Sequence, residues 1–348
     1  MGSKLFTSRR LVLLVAAGMA LAAAGCGGAA NSGAGAGKAG GKSMTIGLQL
    51  DWDNLPAFVA LEQGFLKAHG ISDVKYVKFT ALPAMMTAVS QGQVDAALQT
   101  PPVMHKFNEA SSGPKLKFFA PGLQSIQLWS ARTGSGVPSA ANGDWQSTVK
   151  AWKGKKIGVP ARGGLTEYLT NYMARQVGLN PDTDLTYVAI GLGPSELAAL
   201  KTGAADIDAG VPYGATLISG AQAGYPVLNL LRGEGPAVLH KLANTNYLAS
   251  EKRIKENREL FAGFAAALTD ARKFLKDPAN RAKVEQIIQK HVNVDAARAK
   301  VLYEWIDSYD SELTRDTVDR TARAGAEAGM LPSPPPSYSD LVFDVQGS

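Results

Sequence analysis

Three short loops in the first half of the chain carry side chains suited to holding a small molecule: Asp51-Trp52-Asp53-Asn54, Thr80-Ala81-Leu82-Pro83 and Gln99-Thr100-Pro101. Three counterparts lie in the second half: Arg162-Gly163-Gly164-Leu165-Thr166, Gly191-Leu192-Gly193-Pro194-Ser195 and Val211-Pro212-Tyr213. Each stands where an apolar run ends and a helical pattern begins. In open α/β sheets that junction presents helix N-termini and free N–H groups to a ligand. The glycines of the second set leave backbone N–H groups accessible to an anion. Arg162 could pair with a sulfonate, nitrate or carboxylate, or stay a solvated surface group. Trp52 offers a large ring for stacking on a ligand or, equally, for capping a core. Thr166 and Ser195 stand at helix starts, where capping and ligand contact are compatible. Tyr213 either lines a cleft or closes a core. The candidate ligand-binding set is Asp51, Trp52, Asn54, Thr80, Leu82, Gln99, Thr100, Arg162, Gly163, Gly164, Thr166, Gly193, Ser195 and Tyr213.

Other chemistry has little to build on. His69, His105, His240 and His291 are scattered, with no H-x-x-x-H or H-E-x-x-H spacing, so neither a metal centre nor a serine-type triad is expected. The acids Asp51 and Asp53 form a pair of a kind common in loops, and no catalytic constellation surrounds them. The single Cys26 excludes an internal disulfide framework and any Cys-rich metal site. No cofactor is expected, and the chain does not read as an enzyme.

The elements that must position these loops form a repeat. Thr45–Leu50, Val74–Phe79, Lys156–Val159 and Leu185–Ile190 read as strands; Leu55–Ala68, Leu82–Gln91, Thr166–Val177 and Ser195–Thr202 read as helices. Ile46, Gly47, Pro83, Ala88, Gly92, Asp95 and Pro101 have identical residues 111 positions later: Ile157, Gly158, Pro194, Ala199, Gly203, Asp206 and Pro212. One constant offset without a gap indicates two copies of one α/β unit, whose loop edges can face each other across a cleft. Beyond residue 250 the pattern turns helical, with apolar stripes over Asn257–Lys276 and Asp295–Ser308 that read as packing. Asp277-Pro278 separates two of these helices.

At the start, Lys4, Arg9 and Arg10 precede a 14-residue apolar stretch, Leu11 to Ala24, and then Gly25-Cys26. That order is a secretory signal, and the stretch is short of the roughly 30 Å hydrocarbon core. Ser8-Arg9-Arg10 leaves twin-arginine export open beside the general route. Residues 26–43 are Gly-, Ala- and Ser-rich and read as a flexible tether. The whole 348-residue chain is 45% hydrophobic with a formal charge of +6, and removing residues 1–25 leaves 33 basic against 30 acidic side chains. So mild an excess argues against a nucleic-acid partner.

The strings G-L-Q-L-D-W-D-N-L-P-A-F-V-A-L-E-Q-G-F and F-T-A-L-P-A-M-M-T-A-V-S-Q-G-Q-V-D-A-A-L resemble the periplasmic solute-binding proteins of ABC importers. The resemblance is to the nitrate/sulfonate/taurine branch and to relatives that bind the pyrimidine precursor of thiamine, and it spans residues 44–250. Leu21 to Cys26 resembles a bacterial lipobox, with Ala23 where Leu is usual. The resemblance implies a two-lobed type II periplasmic-binding-protein fold with a double crossover near Trp129–Arg132 and Leu239–Tyr247. It places residues 44–131 plus 246–348 in lobe I and 132–245 in lobe II. It implies a monomeric receptor on the outer face of the bacterial cell membrane, held by lipid on Cys26, that hands a small solute to a permease and its ATPase subunits. Leu192-Gly193-Pro194-Ser195 and Arg162 favour a small organic anion. Leu50-Asp51-Trp52 resembles the binders of flat heterocycles such as hydroxymethylpyrimidine or riboflavin, although Leu55-Pro56 stands where those carry a His. A pyrimidine-synthesis enzyme on the same scaffold and an adhesive lipoprotein are the readings from other classes.

Overall fold

The computed structural model describes residues 42–49, 51–79 and 81–347; Cys26, the leader, most of the tether and Thr80 lie outside the described residues. Two five-stranded sheets carry the chain. The first is built from β1 (Lys42–Leu48), β2 (Ile71–Lys78), β3 (Ala96–Gln99), β4 (Leu116–Leu123) and β10 (Thr245–Ser250), in the order β2-β1-β3-β10-β4. The second uses β5 (Leu128–Arg132), β6 (Lys156–Val159), β7 (Thr186–Ala189), β8 (Ile207–Gly210) and β9 (Gly224–Asn229), in the order β7-β6-β8-β5-β9. In each sheet four strands run the same way and the fifth, β10 in the first and β5 in the second, is inserted antiparallel between two of them from the other half of the sequence.

The repeat is visible in hydrogen-bond register. Ile46 faces Ala96 and Gly47 faces Ala97 in the first sheet; Ile157 faces Ile207 and Gly158 faces Asp208 in the second. These pairings keep the offset of the sequence. So does a side-chain clamp. Asp95 accepts from the Thr45 N–H at 2.8 Å and from Arg253 at 2.6 Å, while Asp206 accepts from the Lys156 N–H at 3.0 Å and from Arg132 at 3.2 Å. In both copies a carboxylate just before a parallel strand ties the neighbouring strand to an arginine, Arg132 at the end of the inserted β5 and Arg253 in the helix that follows the inserted β10.

Buried apolar groups lie on each sheet. Leu260, Phe261, Phe264, Leu268, Ala271 and Leu275 of the helix Arg258–Lys276 form one buried stripe against the first sheet. Phe119 meets Phe261 edge-on at 5.0 Å. Trp129 and Trp152 stack 6.0 Å apart in the core of the second sheet. Burying side chains of this size stabilises by about 1.5–3 kcal/mol each. The helix Arg315–Glu327 serves both: Val318 and Ala322 pack beside the first sheet and Ala324 joins the core of the second.

Several expected elements differ in extent or place, beginning with β1 and β2, which start at Lys42 and Ile71 rather than at Thr45 and Val74. The helix expected over Leu55–Ala68 is two, Leu55–Glu62 and Phe65–Ala68, because the chain turns through Gly64 at φ +75°. The helix expected to reach Ser308 ends at Tyr303, and a 3-10 turn, Ile306–Tyr309, follows. Trp129–Arg132, expected as the crossover, lies inside β5. The passages between sheets are residues 124–127 and 230–244.

Candidate functional site

A cavity of about 530 Å³ lies where the loop ends of both sheets meet. The first copy contributes Asp53 and Asn54 after β1, Phe79 after β2, and Gln99 and Thr100 after β3. The second contributes Pro160, Ala161, Gly164, Leu165 and Thr166 after β6, Leu192 after β7 and Val211 after β8. The passages add Ile126, Gln127 and Asn244. A slightly larger groove of about 580 Å³, lined by Lys241, Arg272, Lys276 and Arg320 among others, lies between the passages and the C-terminal helices and draws on none of the six loops. The first cavity is therefore the candidate site: it has the size of a small-molecule pocket and the location that strand-end chemistry dictates.

Of the residues expected at the site, Asn54, Gln99, Thr100, Gly164 and Thr166 line this cavity. Asp51, Trp52 and Tyr213 line a smaller neighbour of about 130 Å³ that shares Gln49 and Val211 with it. Trp52 is 2% exposed and belongs to the first core, with its ring 5.5 Å from Tyr309 and its carbonyl accepting from the Tyr309 hydroxyl at 2.5 Å. Asp51 pairs with Lys78 at 2.7 Å. Leu82 packs beside the first sheet with Met85 and Val89.

The second-copy loops are tied down by their own acids. Arg162 is exposed, and its Nε and Nη2 donate to the Glu167 carboxylate at 2.9 and 3.1 Å. Glu167 also accepts from the Gly163 N–H at 2.8 Å. The Gly193 N–H donates to Glu196 at 2.6 Å, and the Ser195 hydroxyl donates to the Leu192 carbonyl at 3.1 Å. Thr166 starts the helix Leu165–Gln176, and its carbonyl accepts from the Thr170 hydroxyl at 2.6 Å. That hydroxyl accepts in turn from the Trp129 indole at 2.9 Å, so a chain of bonds stiffens this wall from behind.

The first-copy wall is held by amides. Gln99 donates to Gln49 at 3.0 Å and accepts from the Thr100 N–H, while Asn54 accepts from the buried Tyr247 hydroxyl at 3.2 Å. Two lining groups have no such partner among the described residues: Asp53 Oδ1 and Gln127 Oε1, both closed off from solvent. Burial disfavours the Asp53 carboxylate and raises its pKa to about 7. No Lys, Arg or His lines the cavity among the described residues.

Asp53 and Gln127 were outside the expected set. The sequence placed Asp53 in a binding loop but gave no reason to prefer it to Asp51. Gln127 precedes the expected crossover and belongs to the observed one, so the position of the passage was the signal. No group of three or more His, Cys, Asp or Glu side chains could hold a metal ion, and no helix is long and apolar enough to cross a membrane, among the described residues.

Residues 37–289 match the model of the NMT1-like family. No curated protein matches the chain in sequence. Solved structures share its architecture. A protein of Bordetella bronchiseptica RB50 superposes with a TM-score of 0.68 at 17% identity, over 87% of this chain and 94% of that one. The periplasmic nitrate-binding protein of Synechocystis PCC 6803 gives 0.60 at 15% identity, over 74% and 68%. The periplasmic aliphatic sulphonate binding protein of Escherichia coli gives 0.58 at 21%, over 77% and 84%. At these identities the likeness is one of fold: two α/β lobes of the periplasmic-binding-protein kind.

Proposed function

Because this chain belongs to the NMT1-like family, we propose that it is the extracytoplasmic solute receptor of an ABC importer and has no catalytic role. The observation that carries the reading is the cavity lined by matching loops of the two copies. Two lobes built on separate sheets and joined by two passages can close on a solute, provided the closed form gains contacts that the open form lacks. The lobe division falls at residues 124–127 and 230–244. Cys26 takes the lipid, residues 26–43 act as the tether, and the monomeric receptor works at the outer face of the cell membrane with a permease and its ATPase subunits.

Nitrate and sulfonates, the solutes in the names of two structural neighbours, are the first class to try. Support for an anion from this chain's own residues is thin. Arg162, which suggested one, is committed to Glu167. A flat uncharged heterocycle such as hydroxymethylpyrimidine is the second reading, favoured by the apolar walls at Phe79, Leu165 and Leu192.

Small-angle scattering and calorimetry test the receptor role together. A bound solute is expected to compact the protein, and Arg162→Ala is expected to change affinity less than threefold, because its guanidinium is satisfied elsewhere. Tight binding without compaction would remove the closure mechanism.

A further inference from the structure

Away from the cleft, the groove of about 580 Å³ between the passages and the C-terminal helices gathers five cations, Lys241, Arg272, Lys273, Lys276 and Arg320, against two acids, Asp310 and Glu312. Three of the cations are spent: Lys276 on Asp310, Lys273 on Asp270 at 3.4 Å and Arg320 on Asp316 at 3.0 Å. Lys241, Arg272 and Glu312 are in no ion pair among the described residues. Arg272 is half-buried and meets neutral acceptors only, the Pro121 carbonyl at 3.1 Å and the Thr269 hydroxyl at 3.4 Å, which use two of its five N–H groups. Its Nε has no partner and stays open to solvent, unlike the unpartnered Nε of Arg132 and of Arg253, which are sealed. A guanidinium drawn partly out of water without a carboxylate lacks its usual counter-charge. Lys241 is exposed, and its backbone at φ +51° lies in the left-handed region that glycine favours. We infer that this groove is a second binding site, taking a small oxyanion of the carboxylate or phosphate kind between Arg272 and Lys241.

Two free cations against one free acid leave an excess of one positive charge, which a singly charged anion offsets. The remaining N–H groups of Arg272 suit the paired oxygens of a carboxylate or phosphate, and the Lys241 ammonium adds a point charge. The groove also joins the parts of the molecule that must bend. Gln124 lies in the first passage and Lys241 in the second, while Arg272 belongs to the helix covering the first sheet. An anion held by both cations pins the second passage to that helix, which makes it an effector of the hinge rather than a cargo. The binding goes beyond the receptor reading without resting on it: failure of every solute in the cleft would leave it standing.

The test is calorimetry on the purified full chain with acetate and with inorganic phosphate, at fixed ionic strength. Both are expected to bind, Arg272→Gln to weaken them about tenfold or more, and Lys241→Gly about threefold to tenfold. Glycine suits the backbone at position 241, so a melting temperature at or above wild type shows that this variant is folded. Glu312→Gln is expected to tighten binding about threefold, a gain that misfolding does not imitate. Lys300→Gln, which removes an exposed cation elsewhere, is expected to change affinity less than about twofold. Bound phosphate is expected to slow amide exchange at residues 239–244. Weakening by Lys300→Gln equal to that by Lys241→Gly would overturn the inference, since the attraction would then belong to net charge. Unchanged affinity in Lys241→Gly, no binding of either anion, or binding without slower exchange in the second passage would overturn it as well.

Discussion

The two copies of the α/β unit agree at Asp95 and Asp206 and part at Met85 and Ala97. The residues 111 positions after that second pair are Glu196 and Asp208. In the first sheet Met85 and Ala97 are buried apolar groups, Met85 lying against Gly47. In the second sheet the same places hold two fully buried carboxyls that meet beside Gly210 and Gly214: a Cβ on Gly210 would stand 2.4 Å from Glu196 and 2.8 Å from Asp208. The equivalents of those glycines are Gln99 and Val103, both of which line the cleft. The difference teaches how one unit came to serve two purposes. The first copy sends side chains into the cavity, whereas the second gives up that space to an acid pair that fixes the Gly193 backbone.

Placing a carboxyl in the first copy should break the comparison most sharply. Met85→Glu would bury a carboxyl beside Ala97 in an apolar cluster, so a loss of about 3–5 kcal/mol is expected; urea denaturation measures it. Next come Asp95→Ala and Asp206→Ala. Each strands an arginine and a backbone N–H, and each should cost about 2–4 kcal/mol by the same method. Similar losses would show that the clamp is equivalent in both copies, and a twofold disparity would show that it is not.

The smallest effect runs in the stabilising direction. Making the second copy like the first, with Glu196→Met and Asp208→Ala together, should raise stability at pH 8 by about 1–3 kcal/mol. The sign follows from the proton. Burial raises both pKa values above the carboxylate range, and the neighbouring Glu196 raises Asp208 further. A folded-state pKa above the unfolded one gives stability that is full in acid and lost as pH rises through the folded value. Asp53 adds the same trend up to about 7. The wild-type melting temperature should therefore fall from about pH 5 to about pH 8. The double variant should keep the part due to Asp53 and to Glu234, whose pKa burial also raises, and an unchanged slope would remove the acid pair from this account.

The repeat was legible because its marks are punctuation: Gly92, Pro83 and Pro101 recur where turns and helix starts recur, and β3 and β8 keep the offset residue for residue. Asn54, Gln99, Thr100, Gly164 and Thr166 followed from that, since strand ends locate loops. Where a side chain finds its partner was harder to read. Arg162 meets Glu167 in the adjoining helix, and Glu196 reaches back to the Gly193 N–H, a spacing that a capping-box reading could have caught. The vacancies at Asp53 and Gln127 exist only once tertiary packing has shut water out, and no local pattern encodes that.

The exchange of β5 and β10 between the sheets also sets a timetable for a chain emerging from the ribosome. The second sheet has all its strands once residue 229 has been made. The first must wait for β10 and then for Arg258–Lys276, the helix that covers it. Until then β3 and β4 have no strand between them, and their open edges are available to the wrong neighbour. The half that is translated first is thereby the half that matures last, and a nascent chain halted before residue 245 would expose adhesive strands that the finished protein keeps covered.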